Sequence, residues 1–324
     1  MKPIKVGIAG GAGYTGGELI RLLLQHPNVN IIFIHSKSNA RKFIYDVHTD
    51  LLGDTSLKFS NTIDKNVDIV FLCLGHGESR SFLEENIFSL KTKIIDLSQD
   101  FRWNPDTPKK FVYGLPELQR EKIRSAQFIA NPGCFATCIQ LALLPLAKSK
   151  LLKDEIHVSA TTGSTGAGQS LNPTTHFSWR SNNHSVYKAL EHQHLYEIEQ
   201  SLKSVQPNFS SPIHFIPQRG SFTRGILAGI YTVCQNDIHE IVSLYKDYYS
   251  THPFVHISNS GIDVKQVVNT NKCFLHFEKK GKYLMITSII DNLLKGASGQ
   301  ALQNMNLMFG VEENTGLKLK SVAF

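Results

Sequence analysis

Through the first 140 positions, short uninterrupted apolar runs alternate with segments whose apolar residues recur every three or four positions. Residues 4–9 form one such run. Glycines follow it, and then Glu18 to Leu24 at helical spacing, stopped by Pro27. Further runs at 30–35, 67–74, 93–97 and 127–130 are too short for buried helices and lack the alternation of half-exposed strands, so they predict fully buried parallel strands. Strand and helix in turn predict a doubly wound Rossmann-type α/β domain.

The pattern then changes. Ile226 to Cys234, Val264 to Val268, Lys272 to Glu278 and Tyr283 to Ile290 predict longer strands, the last two joined by a hairpin at Lys279 to Lys282. Ile238, Ile241, Val242, Tyr245, Tyr248 and Tyr249 keep helical spacing and predict a covering helix. The expected architecture is an α/β fold with two domains. Residues 1–140 form the dinucleotide-binding domain, completed by a C-terminal helical segment, 293–324. Residues 141–292 form an α+β catalytic and oligomerisation domain with a mixed or antiparallel sheet. The helix after Gly299, with Leu302, Met305, Met308 and Phe309 on its apolar side, is expected to pack on the first domain.

Composition narrows the class. The chain has 324 residues, 41% hydrophobic and 19% charged, which excludes disordered and fibrous readings. Its net charge of +7 suits an anionic partner, but the cations are scattered, so a small phosphorylated molecule fits better than nucleic acid. Five cysteines without a C-x-x-C spacing argue against a disulfide framework or a zinc knuckle and for a reducing compartment. With no apolar run of about 18 residues and no secretory h-region after Met1, a cytoplasmic location without membrane partners is expected.

Gly11-Ala12-Gly13-Tyr14-Thr15-Gly16 satisfies G-x-G-x-x-G between a strand and a helix, and Gly10, Gly13 and Gly16 add a second glycine spacing. Without side chains, the loop lets backbone N–H groups and a helix N-terminus approach a pyrophosphate, which makes Gly10, Gly13, Tyr14, Thr15 and Gly16 cofactor-site candidates. An NAD site usually ends its second strand in a carboxylate; this one ends His35-Ser36-Lys37-Ser38. Hydroxyls and cations at Ser36, Lys37, Ser38 and Arg41 suit a 2′-phosphate, so NADP(H) is the expected cofactor.

Asn131-Pro132-Gly133-Cys134 leads from an apolar run into a helical segment, which places Cys134 at a helix N-terminus, where the thiolate is favoured. Cys73, Cys138, Cys234 and Cys273 have the neighbourhoods of small buried hydrophobes. A nicotinamide beside a nucleophilic cysteine implies aldehyde and acyl chemistry through a thioester. Such chemistry needs a proton donor titrating near neutrality, hence histidine.

At this point the sequence resembles the N-acetyl-γ-glutamyl-phosphate reductases of arginine biosynthesis, within the group that includes aspartate-semialdehyde dehydrogenases. The matching stretches are Gly10 to Leu19, His76-Gly77-Glu78-Ser79, Asp100-Phe101-Arg102, Tyr113 to Glu117, Asn131 to Cys134, the Gly163 to Gly168 loop, His192-Gln193-His194, Thr223 to Ile226 and Asp291 to Ala301. The resemblance implies that Cys134 attacks an N-acyl-γ-glutamyl phosphate and that NADPH reduces the thioester to the semialdehyde. His192 and His194 stand where the family has His-Arg-His, which makes both acid/base candidates, with His194 preferred. Glu197, three residues on, could orient the imidazole or cap the helix.

Arg102 and Arg224 could hold the phosphate or substrate carboxylates as bidentate donors. The loop from Gly163, including Ser164, could turn its amides toward an anion. Asn131 is assigned to substrate, and Asn292 and Gly296 to the nicotinamide end, by the resemblance alone. No metal site is expected, because the H-x-H pair lacks further ligands nearby. A homo-oligomer, dimer or tetramer, is expected from an uncovered sheet face in the second domain.

The chain departs from the family in Phe135-Ala136 after the cysteine, in Gln193, and in Gln218-Arg219 before Thr223-Arg224. Arg219 is an additional cation that could pair with an extra carboxylate, so a succinyl group could replace acetyl. Two other readings are an aspartate-type semialdehyde dehydrogenase and a non-catalytic NADP-binding redox sensor.

Overall fold

The computed structural model describes residues 2–103 and 110–323. The chain divides into two compact units, Met1–Pro132 with Ala297–Lys318, and Gly133–Gly296 with Leu319–Phe324.

Unit 1 runs β1 (Ile4–Ala9), α1 (Tyr14–Leu24), β2 (Val29–His35), β3 (Ile69–Leu72), α2 (Glu78–Glu85), β4 (Lys93–Asp96), β5 (Val112–Tyr113), α3 (Pro116–Ser125) and β6 (Phe128–Ala130). All six strands are parallel, in the order β2-β1-β3-β4-β6-β5. β3 is entirely buried, as its unbroken apolar run predicts. The order reverses at β1, and in such sheets the crevice beyond the strand ends at the switch point receives the ligand.

Unit 2 begins with α4 (Cys134–Lys148) and β7 (Ile156–Thr162), continues through α5 (Phe177–Arg180), β8 (Ser185–Val186), α6 (His194–Val205), β9 (Ile213–Arg219), β10 (Ile226–Val233), α7 (Ile238–Tyr249) and β11 (Val255–Ile257), and closes with β12 (Cys273–Lys280) and β13 (Tyr283–Ile290). Its seven strands are ordered β11-β12-β13-β10-β7-β9-β8 and mix parallel with antiparallel pairing. β12 and β13 form the expected hairpin, Lys280 facing Tyr283.

Residues Val264 to Val268 do not form the expected strand. Val264–Gln266 is a 3-10 turn in which Asp263 accepts the Lys265 amide and Gln266 reaches back to the Asp263 amide. This reciprocal cap outweighs the strand preference of the valines.

Helix α4 holds the centre of unit 2, with every residue from Phe135 to Ala147 buried. Pro145 lacks an N–H and leaves the carbonyl of Leu141 without its intrahelical donor. The Tyr249 hydroxyl of α7 supplies that bond at 2.6 Å, and Tyr245 donates to the Ala142 carbonyl beside it. A buried polar group is thereby satisfied and the helix that begins at Cys134 is fixed.

The chain then passes through a π-helical turn, Leu294–Ser298, into α8 (Gly299–Met308), which belongs to unit 1 and packs on α3 and α1. Asn304 of α8 donates to the Gly114 carbonyl at 2.8 Å. No helix among the described residues is long and apolar enough to cross a membrane.

Candidate active site

In unit 1 the glycine loop links β1 to α1. Gly10 has φ +77°, and a Cβ there would lie 2.4 Å from the carbonyl oxygen of Cys73; a Cβ at Gly16 would lie 2.7 Å from the backbone of Gly11. Both positions therefore require glycine. Gly13 is the N-cap of α1 and supplies no side-chain cap, and a Cβ on it would meet open space. An uncapped helix N-terminus facing open space fits the pyrophosphate of a dinucleotide. The loop is braced by Ser298, whose hydroxyl donates to the Thr15 carbonyl at 2.8 Å.

Beyond β2, Ser36 is buried and donates its amide to Ser60, while Lys37, Ser38 and Arg41 are exposed. The nearest downstream acid, Asp46, is occupied by the Phe43 amide at 2.9 Å. Cations and hydroxyls without a competing carboxylate fit a phosphorylated ribose.

Arg102 and Asn131 are both buried in unit 1, where the structure gives them bracing contacts. Arg102 donates to the carbonyls of Asn131 and Leu97, each at 2.9 Å. The Asn131 side chain donates to the Ala297 carbonyl at 3.0 Å and accepts from Asn304 at 3.1 Å.

Unit 2 carries the nucleophile candidate. Cys134 is the first residue of α4, after N-cap Gly133, and is partly exposed, whereas the other four cysteines are buried. Burial pushes the Cys73 thiol up to about 12 and Cys138 well above the ordinary thiol range, so neither is a nucleophile at neutral pH. The position of Cys134 offers what theirs do not, because the first-turn N–H groups of a helix have no acceptor within it and the macrodipole favours an anion. A Cβ on Gly296 would stand 2.7 Å from the Cβ of Cys134, so glycine is needed there to make room for the cysteine.

Around α4 the structure gathers α6. The buried Glu197 carboxylate accepts the Gly133 N–H at 2.9 Å through Oε2, while Oε1 lies 3.9 Å from Nε2 of His194. One carboxylate thus fixes the approach to α4 and gives a partner to an imidazolium at His194. His192 Nδ1 accepts the His194 amide at 3.2 Å, and the two rings stand edge to face with centroids 4.5 Å apart. Burial, and then the charge of His194, push His192 down to about 3, so His192 stays neutral across the working range. Phe135, the residue after the cysteine, packs edge-on against His192 and Phe215.

Three candidates have other partners in this unit. Arg224 donates through Nε to Oδ2 of the buried Asp291 at 3.1 Å, and its Nη2 stands 3.0 Å from the same oxygen as an ion pair. Asn292 accepts the Gly225 amide at 2.7 Å and donates to Thr165 at 3.0 Å. The Gly163 to Gly168 loop does not hold out its amides as an anion cradle. Gly163, Ser164 and Thr165 donate to the carbonyls of Gly225, Phe222 and Thr223 at 2.9, 2.8 and 3.1 Å, and Gly166 and Gly168 donate within the loop. Gly163 serves close backbone packing instead: a Cβ there would lie 2.4 Å from the Thr223 carbonyl oxygen.

Two residues of this neighbourhood have no motif in the sequence, Tyr187 and Arg180. The Tyr187 hydroxyl is pushed up to about 12 by burial and then by the charge of Cys134, and its ring carries the Arg219 guanidinium 4.6 Å from the centroid. The His192-Gln193-His194 segment forms no cluster of metal-ligand geometry. Among the described residues only Glu155, His157 and His214 bring ligand atoms within 4.8 Å of one another.

Comparison with known proteins adds ancestry to this geometry. Residues 5–126 match the semialdehyde dehydrogenase NAD binding domain and residues 134–292 the semialdehyde dehydrogenase dimerisation domain. The N-acetyl-gamma-glutamyl-phosphate reductase of Flavobacterium johnsoniae is 58% identical over 324 residues, covering 99% of this chain and 100% of the relative. The protein of the same name from Christiangramia forsetii is 57% identical over 321 residues, with the same coverage. Among solved structures, aspartate semialdehyde dehydrogenase II of Vibrio cholerae, complexed with ASA, superposes with a TM-score of 0.76 at 17% identity, over 96% of this chain and 99% of that one. That likeness speaks for the fold.

Proposed function

The chain belongs to the N-acetyl-γ-glutamyl-phosphate reductases of the semialdehyde dehydrogenase family, and from that membership we propose that it reduces an N-acyl-γ-glutamyl phosphate to the N-acyl-glutamate 5-semialdehyde, releasing phosphate, in arginine biosynthesis. NADPH is the reductant, and unit 1 holds it through Gly10, Gly13, Tyr14, Thr15 and Gly16 at the pyrophosphate and Ser36, Ser38 and Arg41 at the 2′-phosphate. When bound, the reduced nicotinamide supplies the hydride that takes the acyl carbon to the aldehyde level.

The thiolate of Cys134 attacks the acyl carbon, a C–S bond forms, the C–O bond to phosphate breaks, and phosphate leaves with the electron pair. Negative charge that develops on the carbonyl oxygen is met by the first-turn N–H groups of α4. After reduction His194 protonates the thiohemiacetal oxygen, then accepts that proton back as the C–S bond breaks and the thiolate is restored. Glu197 is a positioning residue that orients His194 and anchors Gly133. The observation that carries this reading is the single partly exposed cysteine opening α4, tied through Gly133 to the carboxylate that faces His194.

The acyl group named for the relatives is acetyl, and Arg219 makes a dicarboxylic group such as succinyl the second candidate. We assign the enzyme to the cytoplasm, where its five free thiols stay reduced, and to a homo-oligomer formed through unit 2, whose residues match a dimerisation domain. Phosphate-dependent reduction of NADP+ with the glutamate and aspartate semialdehydes tests the reaction. Turnover of an N-acylated glutamate semialdehyde alone is expected; a preference for aspartate semialdehyde contradicts it.

A further inference from the structure

Buried guanidinium groups normally have an acceptor, because an unpaired charge in a protein interior is costly. Two in unit 2 break that pattern, the buried Arg180 and the half-buried Arg219. Arg180, the last residue of α5, is only 7% exposed, and its Nη2 donates to the Asn183 carbonyl at 2.6 Å. Its Nε and Nη1 have no hydrogen-bond partner among the described residues, and neither has Nε of Arg219 at the end of β9. The two share a neighbourhood, because Arg219 pairs with Ser185 across β8 and β9, shortly after Arg180 in the chain, and the charge of Arg219 adds to burial in disfavouring that of Arg180.

Beyond the Asn183 carbonyl for Arg180 and a hydrogen bond of Arg219 with the Tyr187 side chain, what holds them is aromatic. The Arg180 guanidinium lies 4.9 Å from the centroid of Trp179, and that of Arg219 lies 4.6 Å from that of Tyr187. Ring faces attract cations but leave the N–H groups at the guanidinium edge unsatisfied. An open surface depression lined by Leu171, Pro173, His176 and Trp179 among others borders the Trp179 ring. The Tyr187 ring also stands edge to face with that of His192, centroids 5.8 Å apart, which sets Arg219 beside the candidate site.

We propose that Arg180 and Arg219 form a clamp for a substrate carboxylate, one remote from the reacting carbon. This rests on the proposed reaction and extends it. Paired guanidinium forks match the planar, bidentate geometry of a carboxylate. A leaving phosphate is the poorer occupant, because it hangs on the carbon that Cys134 attacks, whereas the Arg219 guanidinium lies over the Tyr187 ring. The carboxylate is either the α-carboxylate of the glutamyl part or the terminal one of a dicarboxylic acyl group, the same chemistry from two places on one substrate.

The test is Arg180→Gln in the full-length enzyme, assayed in the phosphate-dependent direction with N-acetyl- and N-succinyl-glutamate 5-semialdehyde. Loss of charge-assisted bonds is expected to raise KM for the aldehyde about tenfold or more, with kcat and the KM for phosphate and NADP+ nearly unchanged. Arg180→Lys should recover part of the loss. A defect confined to the succinyl compound identifies the acyl carboxylate; equal defects identify the α-carboxylate; either outcome upholds the clamp. A raised KM for phosphate instead, or no change in KM, overturns it.

Calorimetry with unreactive N-acetyl- and N-succinylglutamate separates this from the reaction itself. If the wild type turns over neither aldehyde, the proposed reaction fails, and equal affinity of wild type and Arg180→Gln for these ligands would still refute the clamp. Should Arg180→Gln not fold, Arg219→Met carries the same comparisons.

Discussion

The carboxylate of Glu197 accepts the backbone N–H of Gly133 at 2.9 Å, and this bond joins helix α6 to the N-cap of the helix that presents Cys134. The same carboxylate stands 3.9 Å from His194, so one charge braces both the helix start at Cys134 and the imidazole of His194.

Glu197→Gln keeps the shape and removes the charge. A neutral acceptor binds Gly133 about half as strongly, and an imidazolium at His194 loses its partner. The expected result is a kcat lowered about tenfold or more with KM for NADPH unchanged, and a displaced pH limb. A purely structural role would lower thermal stability and leave the pH profile in place.

His192 and His194 differ in what protons do to them. His192 is pushed down to about 3, below its ordinary value near 6.5, so it contributes stability above that value and loses it as pH falls toward 3. It has no charge to change near neutrality. His194→Asn is therefore expected to lower kcat by roughly 10²–10⁴ and to abolish the limb of the pH-rate profile near neutrality, which His192→Asn should retain. Loss of that limb in His192→Asn alone would reverse the assignment.

In unit 1, burial raises the Asp96 carboxyl to about 6, against the opposing hydrogen bonds from Ser79 and Ser98. The folded protein then holds this proton more tightly than the unfolded chain, so stability falls as pH rises from about 4 to about 6 and stays level above. The expected size is about 3 kcal/mol, from the two-unit rise above the ordinary value. Asp96→Asn should flatten this component, measured as the difference in Tm between about pH 4 and pH 7; an unchanged difference contradicts it.

The cofactor preference rests on the turn after β2. NADPH is expected to be used in preference to NADH, and Arg41→Ala to raise KM for NADPH about tenfold while barely moving that for NADH. Titration of each dinucleotide at saturating acyl phosphate reads both values.

Much of this was legible in the sequence wherever local pattern and tertiary role coincide. The glycine loop, the helix opening at Cys134 and the β12–β13 hairpin each follow from a short stretch whose chemistry permits one structure. Val264 to Val268 misled because apolar β-branched residues also suit a buried 3-10 turn once Asp263 and Gln266 cap it. The Gly163 to Gly168 loop has the glycines of an anion cradle, but only the fold reveals that residues 222–225 consume its amides. Arg180 and Tyr187 lie in a segment without periodicity, bent by Asn182, Lys188 and Leu190 at positive φ, so nothing local marks them as neighbours of Arg219.

The central claim is that Cys134 carries the acyl group. Mixing the enzyme with the acyl phosphate while withholding NADPH, then measuring the intact mass and mapping the modified peptide, tests it most directly. One acyl group per chain is expected, located on Cys134, discharged by added NADPH and absent from a Cys134→Ser variant that has lost turnover. An adduct on another residue, or wild-type turnover by Cys134→Ser, would contradict it.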